Sequence, residues 1–166
     1  EEQGYMILYH CNFGYPFLSE DTVLVLPNDH SVPRDEEAAK GMKTHTVFSK
    51  PIDGYKEQVF YHDLATDDNG YATVLVKNEK CGFGVYITYK KDTLDRLIQW
   101  KSMKTGDYVL GIEPANCSVS GRAAEQASES GLKMIQPMEK VEFEMIIGFV
   151  DCGSEMDQLE KKLKNL

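Results

Sequence analysis

Two residues near the start, His10 and Asn12 in "YHCNFGYP", stand two positions apart among aromatic, glycine and proline residues. In an extended segment such residues share a face, so the imidazole and the amide would be presented together. An imidazole there could exchange a proton near neutrality, or could be a structural group at the end of a turning strand. Far along the chain, "VLGIEPANC" offers a carboxylate. Extended, it puts Glu113 on the face of Val109 and Gly111, with Leu110 and Ile112 pointing the other way. Gly111 leaves space beside the carboxylate, and Pro114 biases Glu113 toward extended backbone, which fixes its direction. A carboxylate beside a gap suits a general base over a small polar ligand; the alternative is an exposed glutamate at a strand end. The sole tryptophan, Trp100 in "IQWKSM", fits either a core or an apolar plane with a polar edge, as sugar sites often use.

Other chemistries find less support. The histidines at 10, 30, 45 and 62 show neither H-x-H nor H-E-x-x-H spacing, so no metal site is predicted. His30 reads as loop surface, and His45 and His62 as structural. There is no Walker pattern, no G-x-G-x-x-G before a helix and no G-x-S-x-G elbow. Cys117 could be a nucleophile, but no activating base accompanies it. The cysteines at 11, 81, 117 and 152 form no C-x-x-C pair and read as reduced, mostly buried thiols.

The elements that must position these groups are mainly strands. "MILYHCNF" alternates, with Met6, Leu8, His10 and Asn12 on one face. "TVLVLP" is a short apolar strand. "EQVFYHDL" (57–64) and "YATVLVKN" (71–78) flank the turn signal Asn69-Gly70, and "FGVYITYK" (83–90) follows, which predicts a three-strand meander. Further strands are expected at 97–103, 107–114 and 140–151, the last with Val141, Phe143, Met145, Ile147 and Phe149 on its buried face. "DEEAAKGM" predicts a helical turn, and 120–131 reads as a loop or short helix. The tail "SEMDQLEKKLKNL" predicts a helix capped by Ser154, acidic in its first turn and basic in its last. Met156, Leu159 and Leu163 form its apolar stripe. No repeat or linker interrupts residues 1–166, which read as a single domain.

Composition narrows the function classes. The 166 residues carry a net charge of −9, with no basic face to neutralise phosphates, which argues against nucleic acid. No apolar run approaches the ~20 residues that cross a bilayer. The first residues lack a basic, small-residue signal pattern. A soluble, cytoplasmic protein without a membrane partner is expected.

Taken in order, "MILYHCNFGYPFLSE", "GYKEQVFYHD", "LIQWKSM" and "YVLGIEPANCSVSGR" resemble segments of the aldose-1-epimerase family, in a poorly characterised branch of the galactose-mutarotase-like superfamily. The resemblance implies a mainly β fold: an antiparallel β-sandwich, part of a galactose-mutarotase-like supersandwich, with the C-terminal helix added. It implies interconversion of the α and β anomers of an aldose, with His10 as general acid and Glu113 as general base. Neither cofactor nor metal is needed for that chemistry, and the partner is a monosaccharide or sugar derivative. A middle motif that binds sugar hydroxyls corresponds to 55–60 and brings in Glu57 or Gln58, where an aspartate is usual. Gln99-Trp100 corresponds to a strand beside the pocket. Asn12 would orient the ring or bind a hydroxyl, and Arg34 and Arg122 would meet an anionic substituent. Members of the family are longer and carry the histidine motif mid-chain. The chain is therefore expected to be the C-terminal portion of a longer domain, completed by an N-terminal half or by a second copy. A non-catalytic carbohydrate binder on the same scaffold, or an inactive fragment, is the alternative.

Overall fold

The computed structural model describes residues 1–27 and 30–166. Its elements are β1 (Gln3–Gly4), β2 (Cys11–Phe13), β3 (Thr22–Val25), β4 (His30–Pro33), α1 (Glu36–Gly41) and a 3₁₀ turn (Met42–Thr44). They continue with β5 (Gln58–Asp63), β6 (Tyr71–Asn78), β7 (Phe83–Lys90), β8 (Arg96–Lys104) and β9 (Asp107–Ala115). The last are α2 (Arg122–Ala127), β10 (Met134–Ile135), β11 (Met145–Asp151) and α3 (Ser154–Lys164).

Two antiparallel sheets face one another, ordered β11-β7-β6-β3 and β2-β9-β8-β5-β4, with β1 and β10 paired apart from them. The alternation seen in the sequence explains the packing. Leu24, Val74, Val76, Ile87 and Tyr89 from the first sheet meet Leu97, Met103, Leu110 and Ile112 from the second in one buried core. This is a mainly β, antiparallel sandwich. On the outer face of the first sheet α3 seats Met156 and Leu163 against Val25, Leu75 and Val150. On the outer face of the second, Val59, Ile98 and Ala115 form a smaller apolar floor.

The expected meander is corrected by the topology. β6 and β7 pair as predicted, but β5 pairs with β4 and β8 in the opposite sheet. Asn69-Gly70 does turn the chain, with Gly70 at a φ of +76°, but the turn carries it from one sheet to the other. A local turn signal fixes a reversal, not which strands bond across it. Ser154 is likewise the first helical residue and caps nothing; Gly153, at a φ of +136°, precedes it. The 120–131 region contains the short helix α2. His30 opens strand β4 and is exposed, while the rest of its predicted loop includes residues 28 and 29, outside those described.

The sandwich is plugged on one side and open on the other. On the side of β3 and β4, residues 36–48 fill the end: Val47 bridges Val23, and Thr46 O accepts from Leu24 N. On the other side, the edges of β2 and β11 flank an apolar groove of about 430 Å³ lined by Phe13, Phe17, Phe83, Val85, Ile147 and Phe149. The strand predicted over 140–151 begins only at Met145. Its Ile147 and Phe149, expected to be buried, are 50% and 74% exposed. They do point inward, but β11 is an edge strand and no described residue covers them.

Candidate functional site

The candidate site lies on the outer face of the five-stranded sheet. Leu8 bridges Ala115 and Cys11 pairs with Ile112, a register that sets His10 opposite Glu113 across the β2–β9 edge. His10 Nε2 stands 3.0 Å from Glu113 Oε1. The glutamate is buried and the histidine is partly open to solvent. The contact is a close approach without a directed hydrogen bond, since Glu113 Oε1 accepts none from the described residues. Burial pushes the Glu113 carboxyl above the usual carboxylate range, and a charge on His10 opposes that rise. The exposed strand-end reading of Glu113 is thereby overturned.

Gly111 pairs with Trp100 and leaves the gap anticipated from its sequence context. A β-carbon there would lie 2.6 Å from Glu113 Oε1 and 3.2 Å from His10 Cε1. Trp100 is half-buried and lines the cavity rather than the core. Its ring meets His10 edge-on at 5.6 Å, and its indole N–H donates to Glu57 Oε2 at 2.8 Å. Glu57 Oε1 accepts from both terminal nitrogens of Arg34 at 3.3 Å. Arg34 Nε donates to Asp35 Oδ2 at 2.8 Å, and Asp35 Oδ1 caps α1 through Ala38 N. That backbone hydrogen bond, followed by the Arg34 bond, holds the Asp35 carboxyl below its usual range. An unbroken run of contacts thus ties the start of α1 to the His10–Glu113 pair. Leu8, Val59 and Val119 complete a cavity of about 160 Å³ over these groups.

Of the residues singled out in the sequence, His10, Glu113, Trp100, Glu57 and Arg34 line this one cavity. Asn12, exposed on β2, lines the neighbouring apolar groove. Gln58 is turned to the other face, as strand alternation next to Glu57 requires; it accepts from Tyr55 Oη and donates to Glu37 O. Of the two acidic-motif candidates, Glu57 lines the cavity and Gln58 does not. Arg122 donates to Gly4 O, away from the cavity. Arg34 is shared by two carboxylates, Asp35 and Glu57, which leaves little attraction for a further anion. Asp35 and the apolar wall escaped the sequence reading. The wall residues Leu8 and Val59 stand two positions from His10 and Glu57, an available but weak signal.

The remaining candidates have structural surroundings. Gln99 Oε1 meets His62 Nε2 at 3.1 Å and His45 Nδ1 at 3.3 Å, and Ser31 Oγ meets His62 Nδ1 at 2.8 Å. Burial raises the Cys117 thiol pKa, the reverse of what a nucleophile needs. Cys81 and Cys152 are exposed, contrary to the expectation of mostly buried thiols. Among the described residues no group of three or more His, Cys, Asp or Glu side chains could hold a metal ion. Among them, too, no helix is long and apolar enough to cross a membrane.

The sandwich has an aldose-1-epimerase-like fold: a crystal structure described as "a putative aldose 1-epimerase from Klebsiella pneumoniae subsp. pneumoniae" superposes with a TM-score of 0.91 at 27% identity. The alignment covers 98% of this chain and 42% of that one, so the chain spans less than half the length of this neighbour. Residues 1–148 match the family described as "Domain of unknown function (DUF4432)", and the chain belongs to that family. No curated protein matches it by sequence.

Proposed function

We propose that this chain carries the acid–base pair of an aldose 1-epimerase, interconverting the α and β anomers of a monosaccharide. The observation that carries this reading is the 3.0 Å approach of His10 Nε2 to Glu113 Oε1 beside the gap at Gly111. Anomer exchange needs one group to take the proton of the anomeric hydroxyl and another to protonate the ring oxygen. Both oxygens are bonded to one carbon, so the acid and base must stand close together. Glu113 removes the hydroxyl proton, and that electron pair forms the carbonyl while the bond from the anomeric carbon to the ring oxygen breaks. His10, as imidazolium, gives its proton to the departing ring oxygen. Rotation about the adjoining carbon–carbon bond and closure with the roles reversed yields the other anomer and restores both groups. A raised Glu113 pKa suits a base that must also return its proton. Trp100 supplies an apolar plane and Glu57 an acceptor for hydroxyls. The two carboxylates on Arg34 outnumber its single positive charge, which favours a neutral sugar over an acidic one.

The chain also reads as one portion of a longer sandwich domain. The 42% coverage of the Klebsiella structure supports this, as do the uncovered Ile147 and Phe149 on the open side.

The test is polarimetry and NMR exchange on freshly dissolved α-glucose, α-galactose and rarer aldoses. Acceleration that disappears in Glu113→Gln and in His10→Asn is expected. Activity that survives both substitutions overturns the assignment. Sugar-dependent quenching of Trp100 fluorescence without exchange would favour a carbohydrate-binding protein instead.

A further inference from the structure

The opposite face of β8 holds a second polar arrangement that the proposed chemistry does not use. Three side chains from β5 and β8 reach backbone carbonyls of residues 37–47, the segment that holds the short helix and 3₁₀ turn. Gln58 Nε2 donates to Glu37 O at 3.0 Å, and Gln99 Nε2 donates to His45 O at 2.7 Å. Lys101 Nζ donates to Thr44 O and to Val47 O, each at 2.7 Å. Two uncharged amides thus do the same work as the lysine. Satisfying carbonyls therefore does not by itself account for a charge at the third position, where removing an ammonium from water is costly.

Lys101 is only 4% exposed, and no carboxylate among the described residues reaches its Nζ. Its third proton has no acceptor among them. The Phe48 ring, 5.2 Å away, offers a partial counterweight. The lysine lines a cavity of about 330 Å³ with Phe48, Ile52, Tyr55 and Met103, and the lining includes no acid. Lys40 at the rim is already paired with Glu37 at 2.6 Å. Ile52, 45% exposed, stands where the cavity meets solvent. This arrangement departs from a surface that is net acidic.

We propose that this cavity is a binding site for a small organic monocarboxylate, its carboxylate on Lys101 Nζ and its apolar body against Phe48, Ile52 and Met103. The volume falls in the range of small-molecule sites, and one cation at the base of apolar walls selects a singly charged amphiphile. The site lies on the other side of the sheet from His10 and Glu113, so its occupancy is independent of the epimerase reading.

Sodium benzoate is the probe, with benzamide as its neutral counterpart and phosphate as a compact anion, all at constant ionic strength. Benzoate is expected to raise the melting temperature saturably and to move the ¹³Cε resonance of Lys101, with benzamide and phosphate doing neither. Loss of a charge-assisted hydrogen bond in Lys101→Met should weaken benzoate about tenfold or more. Glu113→Gln should leave it unchanged. Ile52→Trp, which keeps the lysine and fills the mouth, should abolish binding and covers the case in which Lys101→Met fails to fold. The proposal is overturned if benzoate gives no saturable response, if benzamide or phosphate matches it, or if Ile52→Trp binds benzoate as wild type does.

Discussion

Gly111→Ala tests the candidate site with a single methyl group. The added β-carbon would lie 2.6 Å from Glu113 Oε1, where ordinary contact begins at 3.4 Å, so the carboxylate must retreat by about 0.8 Å. Retreat is the available response, because the next neighbours, His10 Cε1 at 3.2 Å and Trp100 Cβ at 3.3 Å, already crowd the methyl. A displacement of that size takes Glu113 out of its 3.0 Å contact with His10. Misplacing a reacting group by about 1 Å costs on the order of 10²-fold in rate. Stability should change much less. Alanine restricts the unfolded chain, worth about 0.4–1 kcal/mol, while crowding in a packed site costs about 1–3 kcal/mol. A net loss of at most about 2.6 kcal/mol follows. Polarimetric anomer exchange and urea unfolding of the same preparations measure the two effects. In a Gly111→Ala/Glu113→Gln double variant the methyl should cost no further activity, since the side chain it displaces no longer acts as a base. Wild-type exchange in a normally stable Gly111→Ala protein would refute the claim that this gap positions the base.

The pH dependence has a definite sign. The folded-state pKa of Glu113 lies above its unfolded value, so the folded protein holds the extra proton; stability from this group is highest at low pH and falls as pH rises through the raised pKa. Urea unfolding across that window should show the decline in wild type and its absence in Glu113→Gln. For Lys101, held at about 8 against an ordinary 10.5, the sign is opposite: stability should rise between those values, by at most about 3 kcal/mol, and Lys101→Met should lack the rise in carboxylate-free buffer. Glu57→Ala removes the acceptor of the Trp100 indole N–H, so tryptophan emission should shift while urea unfolding changes by less than about 1 kcal/mol. Phe149→Ser should lower any self-association seen in sedimentation with little change in the melting temperature, because that ring is 74% exposed and meets Phe83 at 6.1 Å.

Much of the second sheet could be read directly from residue order. Alternation placed β8 and β9, and the flanking of Glu113 by Gly111 and Pro114 marked the carboxylate before any partner was visible. The pairing of β5 was not readable, because Asn69-Gly70 encodes a reversal and the choice of sheet depends on distant partners. Glu57 and Gln58 could not be separated by motif, since the motif does not state which face of β5 looks outward. Asp35 escaped for a related reason: its role passes through Arg34, Glu57 and Trp100 in turn, and no local pattern records such a series. The exposure of Ile147 and Phe149 shows a further limit, in that alternation names a face but not whether anything lies against it.

The unequal lodging of His10 and Glu113 has a kinetic consequence. Glu113 belongs to β9, bonded on both sides within the sheet, whereas His10 precedes a three-residue edge strand held on one side only. Fluctuations that open β2 while β9 stays intact should be frequent, and amide hydrogen exchange should report Phe13, whose N–H faces β9, as far less protected than Glu113, whose N–H faces β8. Each opening withdraws the imidazole and leaves the carboxylate where it is. Whatever lies along the free edge of β2 therefore acts as a governor, setting the fraction of time in which the two groups face each other.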